Sequence, residues 1–108
     1  MLTPKFQLTN GRYIIAKSPQ SLLDYGVRLA YWMQSGDTLK VGTDPTWETS
    51  SGLTAQAPFV INDPTYGLTA GVWLSGGVID AEEWARVTWQ TTNGRIEVQT
   101  LWFIILPR

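Results

Sequence analysis

Asp80, Glu82 and Glu83 crowd one short link, and Asp63 stands before them in the chain. Paired carboxylates can do general acid–base or glycosidic work, but such pairs come from different elements that converge on a cleft. Three acids in one link read instead as a solvated loop. The same cluster offers oxygen ligands to Ca²⁺, yet it lacks the alternating Asp/Asn spacing and the glycine of an EF-hand loop. Gly71 and Ser75-Gly76-Gly77 suggest a phosphate cradle, but no Lys-Ser/Thr follows and no helix opens there. They read as tight turns and close strand packing. Serine and threonine are plentiful, but the chain has no histidine, so a Ser–His–Asp triad cannot be assembled. It has no cysteine either, which removes disulfides, thiolate nucleophiles and sulfur metal sites. The usual general base and the commonest metal ligand are both missing. The sequence therefore predicts a non-enzymatic protein with no catalytic site, no metal site and no cofactor.

At 108 residues the chain is sized for one domain. Six Trp, four Tyr and three Phe suit a small β core, because aromatics favour pleated, half-buried surfaces. Six Trp are nevertheless hard to hide in so small a domain. Trp is seldom fully buried and is enriched at interfaces, so one or more should face another protein chain. Eight basic and nine acidic residues give a formal charge of −1. There is no basic stripe, and so no footprint for nucleic acid. Near-zero charge gives a free monomer little colloidal protection, which fits a part held in an assembly. Met1 to Asn10 is polar and mixed, without the apolar run of a signal peptide. The longest apolar run, Leu101 to Leu106, is too short to cross a bilayer, and no membrane partner is expected.

The elements follow from turn residues and alternation. Residues 1–11 read as an irregular arm, with a turn at Asn10-Gly11, and residues 12–108 as the folded domain. Arg12 to Lys17 reads as a first strand, interrupted by Ser18-Pro19. Leu23, Tyr25, Val27, Leu29 and Tyr31 alternate with other residues, the pattern of a half-buried strand. A helical spacing competes through Leu22, Leu23, Leu29 and Met33, but Gly26 and the aromatics favour strand. Tyr31-Trp32-Met33 could make one helical turn. Short strands follow at Thr38 to Val41, Trp47 to Thr49, Leu53 to Ala57, Phe59 to Ile61 and Leu68 to Leu74. Turn signals stand at Asp44-Pro45, Ser50-Ser51-Gly52, Asn62-Asp63-Pro64 and Ser75-Gly76-Gly77. About seven short strands at this spacing predict an all-β antiparallel sandwich.

The last third spells out a hairpin, Trp84 to Thr92 and Arg95 to Leu106 around Asn93-Gly94. Asn-Gly suits a two-residue type I′ turn. That loop would place Thr92 opposite Arg95, Thr91 opposite Ile96, Trp89 opposite Val98, Val87 opposite Thr100 and Ala85 opposite Trp102. The other face would carry Gln90 with Glu97, Thr88 with Gln99, Arg86 with Leu101 and Trp84 with Phe103. Far from the turn both faces are apolar, and only one can meet the domain's own core. The candidate protein-interface residues are therefore Trp84, Leu101, Trp102 and Phe103, with Trp47 and Tyr66 in loops. Trp73 reads as a core plug.

The order of the motifs resembles a known family. Lys17-Ser18-Pro19 is followed by Leu23-Asp24-Tyr25, Trp32-Met33 and Gly36-Asp37-Thr38-Leu39. Then come Gly52-Leu53-Thr54, Val72-Trp73-Leu74-Ser75-Gly76-Gly77, Arg86-Val87-Thr88 and Thr91-Thr92-Asn93-Gly94-Arg95. From Lys17 to Leu106 the chain resembles the tailed-bacteriophage fibre–tail adaptors, a family of small virion proteins. It departs at Ser18, where that family has Asp, at Arg28-Leu29, which replaces an Asp-Trp pair, and in a more apolar last strand. The resemblance implies a single immunoglobulin-like sandwich acting as a structural adaptor between a fibre or other appendage and the tail or neck. It also implies other virion proteins as partners, several copies in a rotationally symmetric assembly, synthesis in the host cytoplasm and final placement in the virion. A carbohydrate-binding sandwich, with exposed aromatics stacked on sugar rings, is the alternative.

Overall fold

The computed structural model describes residues 6–33, 36–65 and 67–107. Its strands are β1 (Gln7–Thr9), β2 (Arg12–Lys17), β3 (Leu23–Arg28), β4 (Thr46–Thr49), β5 (Leu53–Asp63), β6 (Gly67–Gly76), β7 (Glu82–Gln90) and β8 (Ile96–Ile105). One helical turn, α1 (Leu29–Trp32), follows β3. Five strands form a front sheet in the order β1-β2-β8-β7-β4, and three form a back sheet in the order β3-β6-β5. The fold is the all-β sandwich that the strand spacing predicts. It differs from that expectation in several places. β2 runs parallel to β8, because no short loop ties the two and the whole intervening chain serves as their crossover. The arm expected over residues 1–11 contributes β1, paired antiparallel with β2; residues 1–5 lie outside the described part. Thr38 to Val41 makes a single bridge, Leu39 to Thr91, rather than a strand. Residues 53–63 form one strand with a bulge between Gln56 and Phe59.

The core lies between the sheets. Ala85, Val87 and Trp89 from β7 and Leu101, Phe103 and Ile105 from β8 meet Tyr25 and Val27 from β3, Ala70, Val72 and Leu74 from β6, and Leu29 from α1. Phe6 closes the side where β1 stands over β3. Its ring meets Tyr25 at 5.9 Å and Phe103 at 5.5 Å, both edge-on, the geometry that ring quadrupoles favour.

The β7–β8 register differs by one residue from that expected of a two-residue turn. Thr91 pairs with Arg95, its N–H donating to the Arg95 carbonyl at 2.9 Å, and Gly94 N–H donates to the Thr91 carbonyl at 3.0 Å. The loop is the three residues Thr92-Asn93-Gly94, and in it only Gly94 takes a positive φ, 86°. This is the three-residue hairpin with a glycine at the left-handed position. The cause lies far off in sequence. Thr92 N–H donates to Thr38 O at 2.8 Å, Asn93 N–H donates to Asp37 Oδ1 at 3.2 Å, and the Thr38 and Thr92 hydroxyls meet at 2.7 Å. With Thr92 and Asn93 held from outside, the ladder closes on Thr91. A one-residue slip turns every β8 side chain to the other face. Trp89 now opposes Glu97, Thr88 opposes Val98 and Trp84 opposes Trp102. Leu101 and Phe103, expected on the outer face beside Trp84, are core residues.

The opposite end is fastened by two buried charges. Lys17, 1% exposed, closes β2. Its ammonium donates to the carbonyls of Ser18 at 2.9 Å, Ser21 at 2.9 Å and Gly76 at 2.8 Å. All three protons are satisfied, and the front sheet is tied to the end of β6. Burial holds the Lys17 ammonium below the ordinary lysine pKa. Glu83, in the acidic link read above as solvated, is buried at the start of β7. Its carboxylate accepts the Ser50 hydroxyl at 2.6 Å and Val78 N–H at 3.0 Å. Gly52 lies so close that a Cβ there would collide with the carboxylate. Glu82 points outward, so these adjacent acids cannot work as a pair.

Three outcomes follow. Gly94→Val should lower unfolding stability by about 1 kcal/mol in urea titration, since nothing crowds that Cβ and the cost is the positive φ alone; Gly94→Asn should cost less. Lys17→Met should cost about 2–4 kcal/mol by taking the ammonium from the Ser21 and Gly76 carbonyls, while the Ser18 carbonyl keeps its bonds from Ser21, and a loss under about 1 kcal/mol would disprove the fastening role. The Asp37 carboxyl is held below the usual carboxylate range by the neighbouring Thr91 hydroxyl, the N–H groups of Thr38 and Asn93 and the Arg95 charge, against an opposing effect of desolvation. Its contribution is present above the unfolded value of about 4 and is lost as pH falls through the lower folded value. The protection factor of the Asn93 amide should therefore fall in acid, and Asp37→Asn should remove that dependence.

Candidate functional site

The outer face of the front sheet is built from every second residue of four strands. β8 supplies Ile96, Val98, Thr100, Trp102 and Ile104, and β7 supplies Glu82, Trp84, Arg86, Thr88 and Gln90. β2 adds Ile14 beside Trp102 and Ala16 beside Ile104, and β4 adds Thr46 and Glu48. Along β8 this leaves a broken apolar ridge: Ile96 and Val98 stand together near the hairpin loop, beyond the reach of β2, and Ile104 stands apart, with Thr100 and Trp102 between. Ile96 is 67% exposed, Val98 52% and Ile104 40%. Isolated exposed apolar side chains need no explanation, but adjacent ones such as Ile96 and Val98 mark a candidate interaction surface.

The two tryptophans in this face are partly covered from within the chain. The Arg12 guanidinium lies 4.2 Å from the ring centre of Trp102 and forms an ion pair with Glu82 at 3.5 Å. The Arg86 guanidinium lies 4.4 Å from the ring centre of Trp84 and pairs with Glu48 at 3.9 Å. Each is a tryptophan, arginine and carboxylate stacked in order, attractive through the ring quadrupole and the charge pair. These groups neutralise one another, so the bare part of the face is the apolar ridge.

The residues expected at an interface thus separate. Trp84 and Trp102 share the outer face, directly opposed. Leu101 and Phe103, expected at an interface, are instead enclosed in the core at 3% and 0% exposure, because the register places them inward. Trp47 stands on the inner side of edge strand β4, partly buried against the core. Tyr66 lies outside the described residues. Trp73, read as a core plug, is 37% exposed on the outer face of the back sheet; its neighbours Val72 and Leu74 take the inward positions. Ile96, Val98 and Ile104 were not singled out from the sequence, although the unbroken apolar run of β8 was the signal for a second apolar face. Among the described residues no group of three acidic, histidine or cysteine side chains could hold a metal ion. Among the described residues no helix is long and apolar enough to cross a membrane.

No curated protein matches the chain. A family model does, over residues 17–104, described as the podophage GP4 fiber-tail adaptor protein gp77. The match opens on Lys17, whose ammonium fastens one end of the sandwich, and includes both segments that clamp the hairpin loop at the other. By that match the chain belongs to the podophage fibre–tail adaptor family.

Proposed function

We propose that the chain is a non-enzymatic structural adaptor of a phage virion, joining a tail fibre or other appendage to the tail or neck, with the outer face of the front sheet as the surface that takes its neighbour. The observation that carries this reading is the exposed pair Ile96 and Val98, with Ile104 further along β8, on the outer face of a sheet whose inner face packs on the domain's own core. A neighbouring virion protein that covers the ridge removes apolar surface from water at about 25 cal/mol per Å². Several copies in a rotationally symmetric tail assembly would multiply a modest contact through avidity. Synthesis in the host cytoplasm precedes assembly. The family match supports the adaptor role and the virion tail as its place. The carbohydrate alternative is less well supported, because a sugar ring stacked on Trp84 or Trp102 would have to displace an arginine.

The double change Ile96→Asp with Val98→Asp tests the surface. Both side chains are exposed, so the purified variant should keep its stability within about 0.5 kcal/mol. Particles assembled with the variant in place of the native chain should lack it, as read by quantitative immunoblot of purified particles. Normal incorporation would move the docking surface elsewhere.

A further inference from the structure

A second surface lies on the side where edge strand β4 stands over edge strand β5. A depression there is lined by Asp44, Pro45, Trp47, Pro58, Phe59 and Val60. Pro45 stands just before β4 and Pro58 sits in the β5 bulge, and neither has an N–H to offer an added strand. Recognition here falls to side chains. The β5 bulge that forms one wall contains Ala57 at a φ of 49°, and bulges of this kind serve to re-aim their neighbours.

The chemistry of the depression is that of a pattern this chain uses twice. Trp102, Arg12 and Glu82 make one stack of ring, guanidinium and carboxylate, and Trp84, Arg86 and Glu48 make the other. Glu97 is likewise paired with Arg95, at 3.4 Å. Trp47 and Asp44 supply a ring and an exposed carboxylate in one depression. Among the described residues, no arginine lies over Trp47, and no hydrogen bond or ion pair engages Asp44. We propose that this depression is a socket for an arginine side chain of a neighbouring virion protein, the guanidinium stacking on Trp47 and pairing with Asp44. The planar ion is favoured over lysine because it can stack and pair at once. The identity of the neighbour rests on the adaptor reading; the ligand chemistry does not.

The test uses the full-length chain labelled with ¹⁵N and titrated with acetyl-Gly-Arg-Gly-amide, its lysine counterpart and its glutamate counterpart. Trp47→Phe assigns the Trp47 indole resonance. The arginine peptide should shift that indole and the Val60 amide saturably, the lysine peptide should bind more weakly, and the glutamate peptide should leave both unmoved. Asp44→Asn, a change at an exposed position, should weaken arginine binding about fivefold, the share of one exposed ion pair. Absence of a saturable shift, equal response to the glutamate peptide, or full affinity in Asp44→Asn would overturn the socket. If the arginine peptide fails while particles still exclude the Ile96→Asp, Val98→Asp chain, the socket alone is wrong. If the peptide binds while those particles retain that chain, the socket stands and the ridge assignment falls.

Discussion

The pairing of Thr91 with Arg95 decides what this molecule shows to its surroundings. Strand alternation has a period of two, so closing the hairpin one residue earlier or later exchanges core and surface along β8. In the observed register Leu101, Phe103 and Ile105 fill the core, and Ile96, Val98 and Ile104 reach solvent. The register is set by Asp37 and Thr38, which take the N–H groups of Asn93 and Thr92 and bond to a loop lying 54 residues further along the chain. A local loop is thus fixed by a distant segment, and the exposed face of the front sheet is a consequence.

The two ends of the sandwich are fastened by different means. At the loop end the polar groups are partly exposed, with one carboxylate at their centre. At the other end Lys17 and Glu83 are buried, and each is satisfied by groups from separate segments: Ser18, Ser21 and Gly76 for the ammonium, Ser50 and Val78 for the carboxylate. A buried charge is tolerated only when so satisfied. This arrangement specifies which segments meet more than it adds stability, since an apolar replacement of the whole network could be as stable. Several of the short motifs that carry the resemblance belong to these fastenings. Lys17-Ser18, Gly52 and Ser75-Gly76-Gly77 gather at one end, and Gly36-Asp37-Thr38 meets Thr91 to Arg95 at the other. These motifs hold the fold, while the candidate docking residues lie on β8.

Much of the fold could be read from the residues. Alternation and turn chemistry marked β2, β3, β4, β6 and the final hairpin, and the dense spacing of short strands marked a sandwich. The hairpin register could not be read, because Asn93-Gly94 is compatible with both a two-residue and a three-residue loop and the choice is tertiary. That one residue explains why Leu101 and Phe103 were expected at an interface and why Ile96 and Val98 were not. Glu83 was read as solvated because its neighbours Asp80 and Glu82 are acidic; what buries it is Gly52, which leaves room for the carboxylate. Trp73 was expected inside for its bulk, although Val72 and Leu74 already held the inward positions of β6.

The most direct test of the register, and of the surface derived from it, is a set of cross-strand Hα–Hα contacts in a nuclear Overhauser spectrum. Because Thr91 and Arg95 form a hydrogen-bonded pair, alternation makes Thr88–Val98, Arg86–Thr100 and Trp84–Trp102 the close non-hydrogen-bonded pairs. Strong Hα–Hα cross peaks are expected between the members of each of these pairs. Strong cross peaks linking Trp89 to Val98, Val87 to Thr100 and Ala85 to Trp102, the close pairs of a two-residue turn, would contradict the account, returning Leu101 and Phe103 to the outer face and removing the ridge on which the adaptor surface is built.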